Sequence, residues 1–164
     1  MKHIISILME NQAGAMSRIV GLFSARGYNI HSLSVAPTED PTLSRMTIVT
    51  QCVNENVLEQ IIKQLNKLIE VIKVSDLNKF SIAARELMLV KLQATAKDRV
   101  NIIPLVEIFR GQIIDICEKT LTVELTGTSE KLDSFLKTIG HNHILETART
   151  GLTGINRGDH ILHI

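Results

Sequence analysis

Tryptophan is absent from this 164-residue chain and aromatic residues make up only 3% of it, so its cores must be built from aliphatic side chains. An excess of charge is missing as well. A net charge of +1 and an isoelectric point near 7.8 leave no long-range field to gather nucleic acid or an anionic membrane, and neither partner is expected. No apolar run approaches the length of a membrane span. The opening M-K-H-I-I-S-I-L-M-E has no signal-peptide cleavage region and meets a glutamate early, so a cytoplasmic chain is expected. Cysteine is scarce: Cys52 and Cys117 form no C-x-x-C pair and fall in different halves, in or near predicted strands. That favours two buried free thiols over a disulfide or a zinc site.

Catalytic signatures are lacking too. There is no G-x-x-x-x-G-K-S/T or G-x-G-x-x-G phosphate loop and no G-x-S-x-G elbow. His141-Asn142-His143, with His160 and His163 further on, has no accompanying carboxylate or cysteine set, and the last two lie in a terminal tail. No metal site and no catalytic residue is expected. Ser44, Arg45 and Thr47 are expected on a solvated or partner-facing surface.

The informative segment runs from Glu10 to Ile30. Met16, Ile19, Val20 and Phe23 recur at i, i+3, i+4 and i+7, one apolar stripe of a helix. Gly14 at its N-cap has no side chain to block approach. The amides of Gly14, Ala15 and Met16 are therefore expected among the unsatisfied donors of the first turn, where the positive helix end favours a carboxylate or phosphate. Arg26-Gly27 ends the helix with a cation and a C-terminal glycine, and a strand begins at Tyr28-Asn29-Ile30. Taken alone, such a segment is more often a plain glycine-punctuated connection.

The surrounding pattern gives a β-α-β-β-α-β order. A strand over 3–9, the helix, a strand over 31–36, a turn over 37–42 and a strand around 46–50 precede a helix bearing Leu58, Ile61, Ile62 and Leu65 and a strand over 70–75. Residues 79–84 read as a linker. The order then repeats over 85–164: a strand over 85–94, a helix over 97–110 that Pro104 should kink or restart, strands over 112–117 and 121–125, a capped helix over 128–139, and a strand over 143–147. Arg26-Gly27 and Arg110-Gly111, 84 residues apart, mark the register of the two copies. The fold class is α+β, two tandem ferredoxin-like βαββαβ units: an N-terminal domain over 1–78, and a C-terminal domain over 85–164 that includes the tail. Each unit should carry a four-stranded antiparallel sheet with both helices on one face, leaving the other face and one edge open. Open edges invite pairing, so a homodimer is expected.

If two N-terminal units pair edge to edge, the Asn11–Met16 loop of one approaches the start of the second strand of the other. A zwitterion fits there, its carboxylate on the helix amides and its ammonium on the side-chain oxygen of Asn11 or Asn29. Two or three charge-assisted hydrogen bonds at about 1.5–3 kcal/mol each, with about 1.5–3 kcal/mol for burying a small aliphatic side chain, make the about 4–6 kcal/mol of millimolar or somewhat tighter binding reachable after association costs.

The chain resembles the ACT-domain regulatory (small) subunits of acetolactate synthase. The likeness is carried by I-S-I-L-M-E-N-Q-A-G-A-M-S-R-I-V-G-L-F-S-A-R-G-Y-N-I and its continuation to Thr50, by E-I-F-R-G-Q-I-I-D-I over 107–116, and by R-T-G-L-T-G-I-N-R-G-D over 149–159. The resemblance implies an ACT domain followed by an ACT-like domain, with no active site of its own. It also implies a catalytic large subunit carrying thiamine diphosphate, magnesium and FAD that condenses two pyruvates to acetolactate, or pyruvate with 2-oxobutyrate, toward the branched-chain amino acids. The small subunit is then expected to raise that activity and to confer feedback inhibition, usually by valine. By motif position the effector contacts are Asn11, Gly14, Ala15 and Met16 of one chain with Asn29 and Ile30 of its dimer partner, and Ser17 and Ala36 lie nearby. Two rival readings are a free-standing amino-acid sensor acting on another enzyme or a transcription factor, and a small enzyme using the histidines.

Overall fold

A computed structural model describes residues 2–51 and 54–162; Cys52 and His163 lie outside the described residues. The chain divides into two compact units, Met1–Ala84 with Leu152–Ile164, and Arg85–Gly151.

In the first unit, β1 (Lys2–Glu10) is followed by α1 (Ala15–Ala25), β2 (Ile30–Pro37), β3 (Leu43–Gln51), α2 (Glu55–Leu65) and β4 (Val71–Asp76). The sheet order is β2-β3-β1-β4, antiparallel at every junction. Alternation along the strands sends Ile5, Ile7 and Met9 of β1 and Met46 and Ile48 of β3 to one face. There they meet Ile19 and Phe23 of α1 and Leu58, Ile61 and Leu65 of α2 in a largely aliphatic core, against which Tyr28 also packs. Asn54 caps α2, its Oδ1 accepting the Val57 amide at 3.0 Å.

The second unit repeats this layout with β5 (Ile82–Gln93, its first residues counted in the first unit), α3 (Ala96–Ile108), β6 (Gln112–Ile116), β7 (Thr120–Gly127), α4 (Ser129–Ile139) and β8 (Ile144–Arg149), in sheet order β6-β7-β5-β8. Met88, Val90 and Leu92, Leu121, Val123 and Leu125, and Leu132 and Phe135 form its core. The α+β class and the tandem βαββαβ units are as the sequence predicts.

Besides the expected 79–84 linker, whose residues 82–84 already belong to β5, four details differ from the sequence reading. The helix α3 continues through Pro104 without restarting; Pro104 and Val100 are both exposed, so the carbonyl that loses its i+4 donor is on the water side. Cys117 is exposed rather than buried, because it follows the edge strand β6, most of whose residues are themselves exposed. The terminal residues do not stay with the second domain: Leu152–Ile164 clusters with the first unit, where β9 (Thr153–Asn156) pairs with β5. Gly154 fits there because a Cβ would stand 3.2 Å from Leu77 Cδ1 and 3.4 Å from Ala84 Cβ. The fourth follows from the third. The sheet face away from the helices, expected open, buries Ser6, Leu8, Thr47 and Val49, and Ser44 is buried too. On it Arg45 Nε donates to Ser6 Oγ at 3.0 Å and Arg45 Nη2 to the Gly154 carbonyl at 3.3 Å, so Ser44, Arg45 and Thr47 are not a solvated surface.

Candidate functional site

The loop between β1 and α1 is anchored on both sides. The Glu10 amide donates to the Glu70 carbonyl at 2.8 Å and the Asn11 amide to the Thr42 carbonyl at 2.7 Å. Asn11 Nδ2 donates to the Pro41 carbonyl at 2.9 Å, which fixes the side-chain amide and leaves Oδ1 as an acceptor.

Gly14 caps α1 with φ 88° and ψ −16° and offers no side-chain cap. A Cβ there would meet nothing within 4 Å, so the glycine answers to its left-handed backbone rather than to crowding. The Ala15 amide is spent on the Gln12 carbonyl at 3.2 Å, which removes one of the three donors expected of this turn. The amides of Gly14, Met16 and Ser17 have no protein acceptor among the described residues, and no acidic residue stands in the first turn. Unspent donors at the positive end of a helix, with no carboxylate of the protein's own, form an anion-binding surface. Met16 and Ser17 are exposed beside it, while Ala15 is buried in the core.

At the other end of α1 the chain leaves through a complete Schellman motif, the Tyr28 amide on the Phe23 carbonyl at 2.9 Å and the Gly27 amide on the Ser24 carbonyl at 3.1 Å. The Tyr28 and Phe23 rings meet edge to face at 6.3 Å between centroids. This delivers an exposed Asn29 at the mouth of β2, its carbonyl accepting Thr50 Oγ1 at 2.7 Å. Ile30 pairs with Thr50, whereas Pro37 pairs with Ser44 and Glu10 with Leu43. Asn29 and Ile30 therefore sit at the opposite end of the sheet from the loop, about 16 Å away along the 11-residue helix. One chain does not bring the six residues together. Ala36 lies at the loop's end of β2, opposite Arg45, and faces away from the helices.

One contact at the site was not read from the sequence. Arg18 Nη1 of α1 donates to Glu70 Oε1, tying the second turn of the helix to the residue before β4. Nothing local signals it, since the partners are 52 positions apart. The histidines take other roles: the His160 ring packs on Phe80 with centroids 4.5 Å apart, and His143 Nδ1 lies 3.3 Å from the Gln93 carbonyl. Among the described residues no group of three or more His, Cys, Asp or Glu could hold a metal ion.

Comparison with known proteins covers both units. Residues 5–73 match the model of the AHAS small subunit-like ACT domain, and residues 85–158 that of the small subunit of acetolactate synthase. The chain is 55% identical over 163 residues to the acetolactate synthase isozyme 3 small subunit of Salmonella typhimurium, spanning 99% of both chains. It is 48% identical over 157 residues to the probable acetolactate synthase small subunit of Methanothermobacter thermautotrophicus, covering 95% of this chain and 93% of that one. Among solved structures, the acetolactate synthase small subunit of Thermotoga maritima superposes with a TM-score of 0.89 at 37% identity over 97% of this chain and 99% of that one. Likeness along the full length favours a small subunit of acetolactate synthase over a free-standing sensor.

Proposed function

Because the chain belongs to the family of acetolactate synthase small subunits, we propose that it binds the catalytic large subunit of that synthase, raises its activity and confers feedback inhibition by valine or another branched-chain amino acid. Thiamine diphosphate, magnesium and FAD then belong to the large subunit, and this chain supplies regulation alone.

The observation that carries the effector site is what stands at the two ends of α1, free amides at Gly14, Met16 and Ser17 and an exposed Asn29 a helix length away. A homodimer through the N-terminal ACT domains accounts for both. β2 is an edge strand, and antiparallel pairing of two β2 edges about a twofold axis brings the Ile30 end of one copy beside the Pro37 end of the other, which is the end where the loop lies. The amino-acid carboxylate takes the helix amides, the ammonium takes Asn11 Oδ1 or the Asn29 amide oxygen, and Ile30 and Met16 cover the aliphatic side chain. Filling the shared site favours one arrangement of the dimer. The grip on the large subunit shifts only by the ligand's differential affinity for the two arrangements.

Reconstituted synthase tests this. Gly14→Asp keeps a residue type that tolerates the left-handed backbone, but sets a carboxylate where the ligand's own must sit. Activation by the small subunit should persist while valine inhibition is lost. Full valine sensitivity in the Gly14→Asp complex would remove the loop as the effector site.

A further inference from the structure

The sheet face turned away from the helices of the first unit holds a cavity of about 560 Å³, the size range of small-molecule sites. Its walls combine three kinds of surface. Leu8, Leu43 and Leu162 are apolar, Arg45 is cationic, and Glu39 and Asp40 are acidic.

Arg45 is the unusual member. Its two hydrogen bonds go to neutral acceptors, Ser6 Oγ and the Gly154 carbonyl, and among the described residues no carboxylate pairs with it. A half-buried guanidinium with most of its donor fork unspent is costly unless an anion completes it. Arg149 of the second unit shows the completed case. It forms two parallel bonds to Glu86 and one to Asp133, and these carboxylates hold its pKa above the usual value, whereas burial alone pulls that of Arg45 down. On the same wall the Asp40 carboxylate accepts the Thr42 amide and hydroxyl at 2.9 and 2.6 Å, which keeps it ionised at neutral pH.

We propose that this cavity is a ligand site for a small aliphatic zwitterion of the amino-acid class, its carboxylate on the Arg45 guanidinium, its side chain against Leu8, Leu43 and Leu162, and its ammonium toward Glu39 and Asp40. The site is separate from the effector loop. Alternation along β1 turns Met9 toward the helices and Leu8 away from them, so the cavity lies on the other face of the sheet from α1. Its occupancy is read by signals other than those of the shared site proposed above.

Methyl-labelled full-length protein, titrated with L-leucine and with 4-methylpentanoate, the same carbon frame without the ammonium, tests the assignment. The Leu8 and Leu43 methyl signals should move and saturate with leucine, and 4-methylpentanoate should bind about fivefold or more weakly. Arg45→Met should weaken leucine binding at these signals by about tenfold or more, and Arg45→Lys, which keeps the charge but not the fork, by less. The Ala15 methyl reports the effector loop in the same spectra, so loss of either site is read separately. Signals at Leu8 and Leu43 that stay still at about 10 mM leucine, or that move alike in wild type and Arg45→Met, overturn the site. Equal binding of the two ligands overturns the acidic pole. Should Arg45→Met lose its folded spectrum, an Arg45→Lys affinity equal to wild type overturns the role of the guanidinium.

Discussion

The two units share one topology and treat the start of their first helix in opposite ways. α1 opens at Gly14 with no side-chain cap and three amides unspent, while α3 opens with Thr95 and Asp98, the Asp98 carboxylate accepting the Thr95 amide at 2.9 Å and its hydroxyl at 2.6 Å. The second unit thus supplies its own anion at the place where the first leaves room for a foreign one. The same contrast recurs at the arginines, Arg149 closed by Glu86 and Asp133 and Arg45 left to neutral partners. The difference teaches that a repeated fold divides labour through a few polar residues. The unit that satisfies itself leaves no donor for a foreign anion, and the other one does.

The largest expected effect comes from breaking the closed unit. Glu86 is buried and holds Arg149 at 2.8 Å through both oxygens, so Glu86→Ala should cost the second unit about 3–5 kcal/mol, read as lost amide-exchange protection in β5 and β8. The same pair fixes an acid response. Arg149 first, through its hydrogen bonds, holds the Glu86 carboxyl below its ordinary 4.5, so its stabilisation is whole above that value and is lost as pH falls through the lower folded one. Glu86→Gln should flatten this acid limb in the second unit and leave the first unchanged.

Next in size is a graft. Ser17 occupies in α1 the third helical position that Asp98 occupies in α3, so Ser17→Asp gives the open helix the closed helix's carboxylate. Valine binding should weaken by about tenfold or more. Unchanged affinity would mean that the free amides are not what holds the ligand.

The helix exits sharpen the comparison at smaller cost. Both first helices end in Schellman motifs at an Arg-Gly pair, shifted by one residue. In the first unit Gly27 takes the left-handed position with φ 67°, and in the second Arg110 takes it with φ 54°. Gly111 is needed for another reason: a Cβ there would stand 3.0 Å from Leu125 Cδ1, 3.1 Å from Val106 Cγ1 and 3.2 Å from the Glu124 carbonyl oxygen. Gly111→Ala should therefore cost about 1–3 kcal/mol through crowding and Gly27→Ala about 1 kcal/mol through backbone strain. Arg110→Gly should be neutral or stabilising by up to about 1 kcal/mol in thermal unfolding.

Periodicity made the repeat legible, because aliphatic residues at helical and alternating spacing fix which face of each element is buried before any long-range contact is known. Ile19 and Phe23 of the α1 stripe, the Thr128 cap and the turn at Gly14 are local signals that the structure keeps, whereas Met16 of the same stripe is exposed. What escaped it depends on distance in the chain. No local pattern says that Leu152–Ile164 returns to the first unit, that Arg45 reaches Gly154 109 positions on, or that Arg18 finds Glu70. Pro104 does not end α3 because the carbonyl it orphans belongs to the exposed Val100. The two Arg-Gly pairs look alike as letters and differ in conformation, since a glycine written one residue late forces its neighbour into the left-handed well.

Mixed dimers put the shared site to its most direct trial. Gly14→Asp and Asn29→Ala subunits, each with both shared sites of its own homodimer broken, are refolded together and titrated with valine, binding being read at the Ala15 methyl. In a mixed dimer one site keeps an intact loop from the Asn29→Ala copy and an intact Asn29 from the other, so valine binding should return at that one site. A mixture as silent as its components, or either variant binding valine normally by itself, would contradict an effector held between two copies at the front of α1.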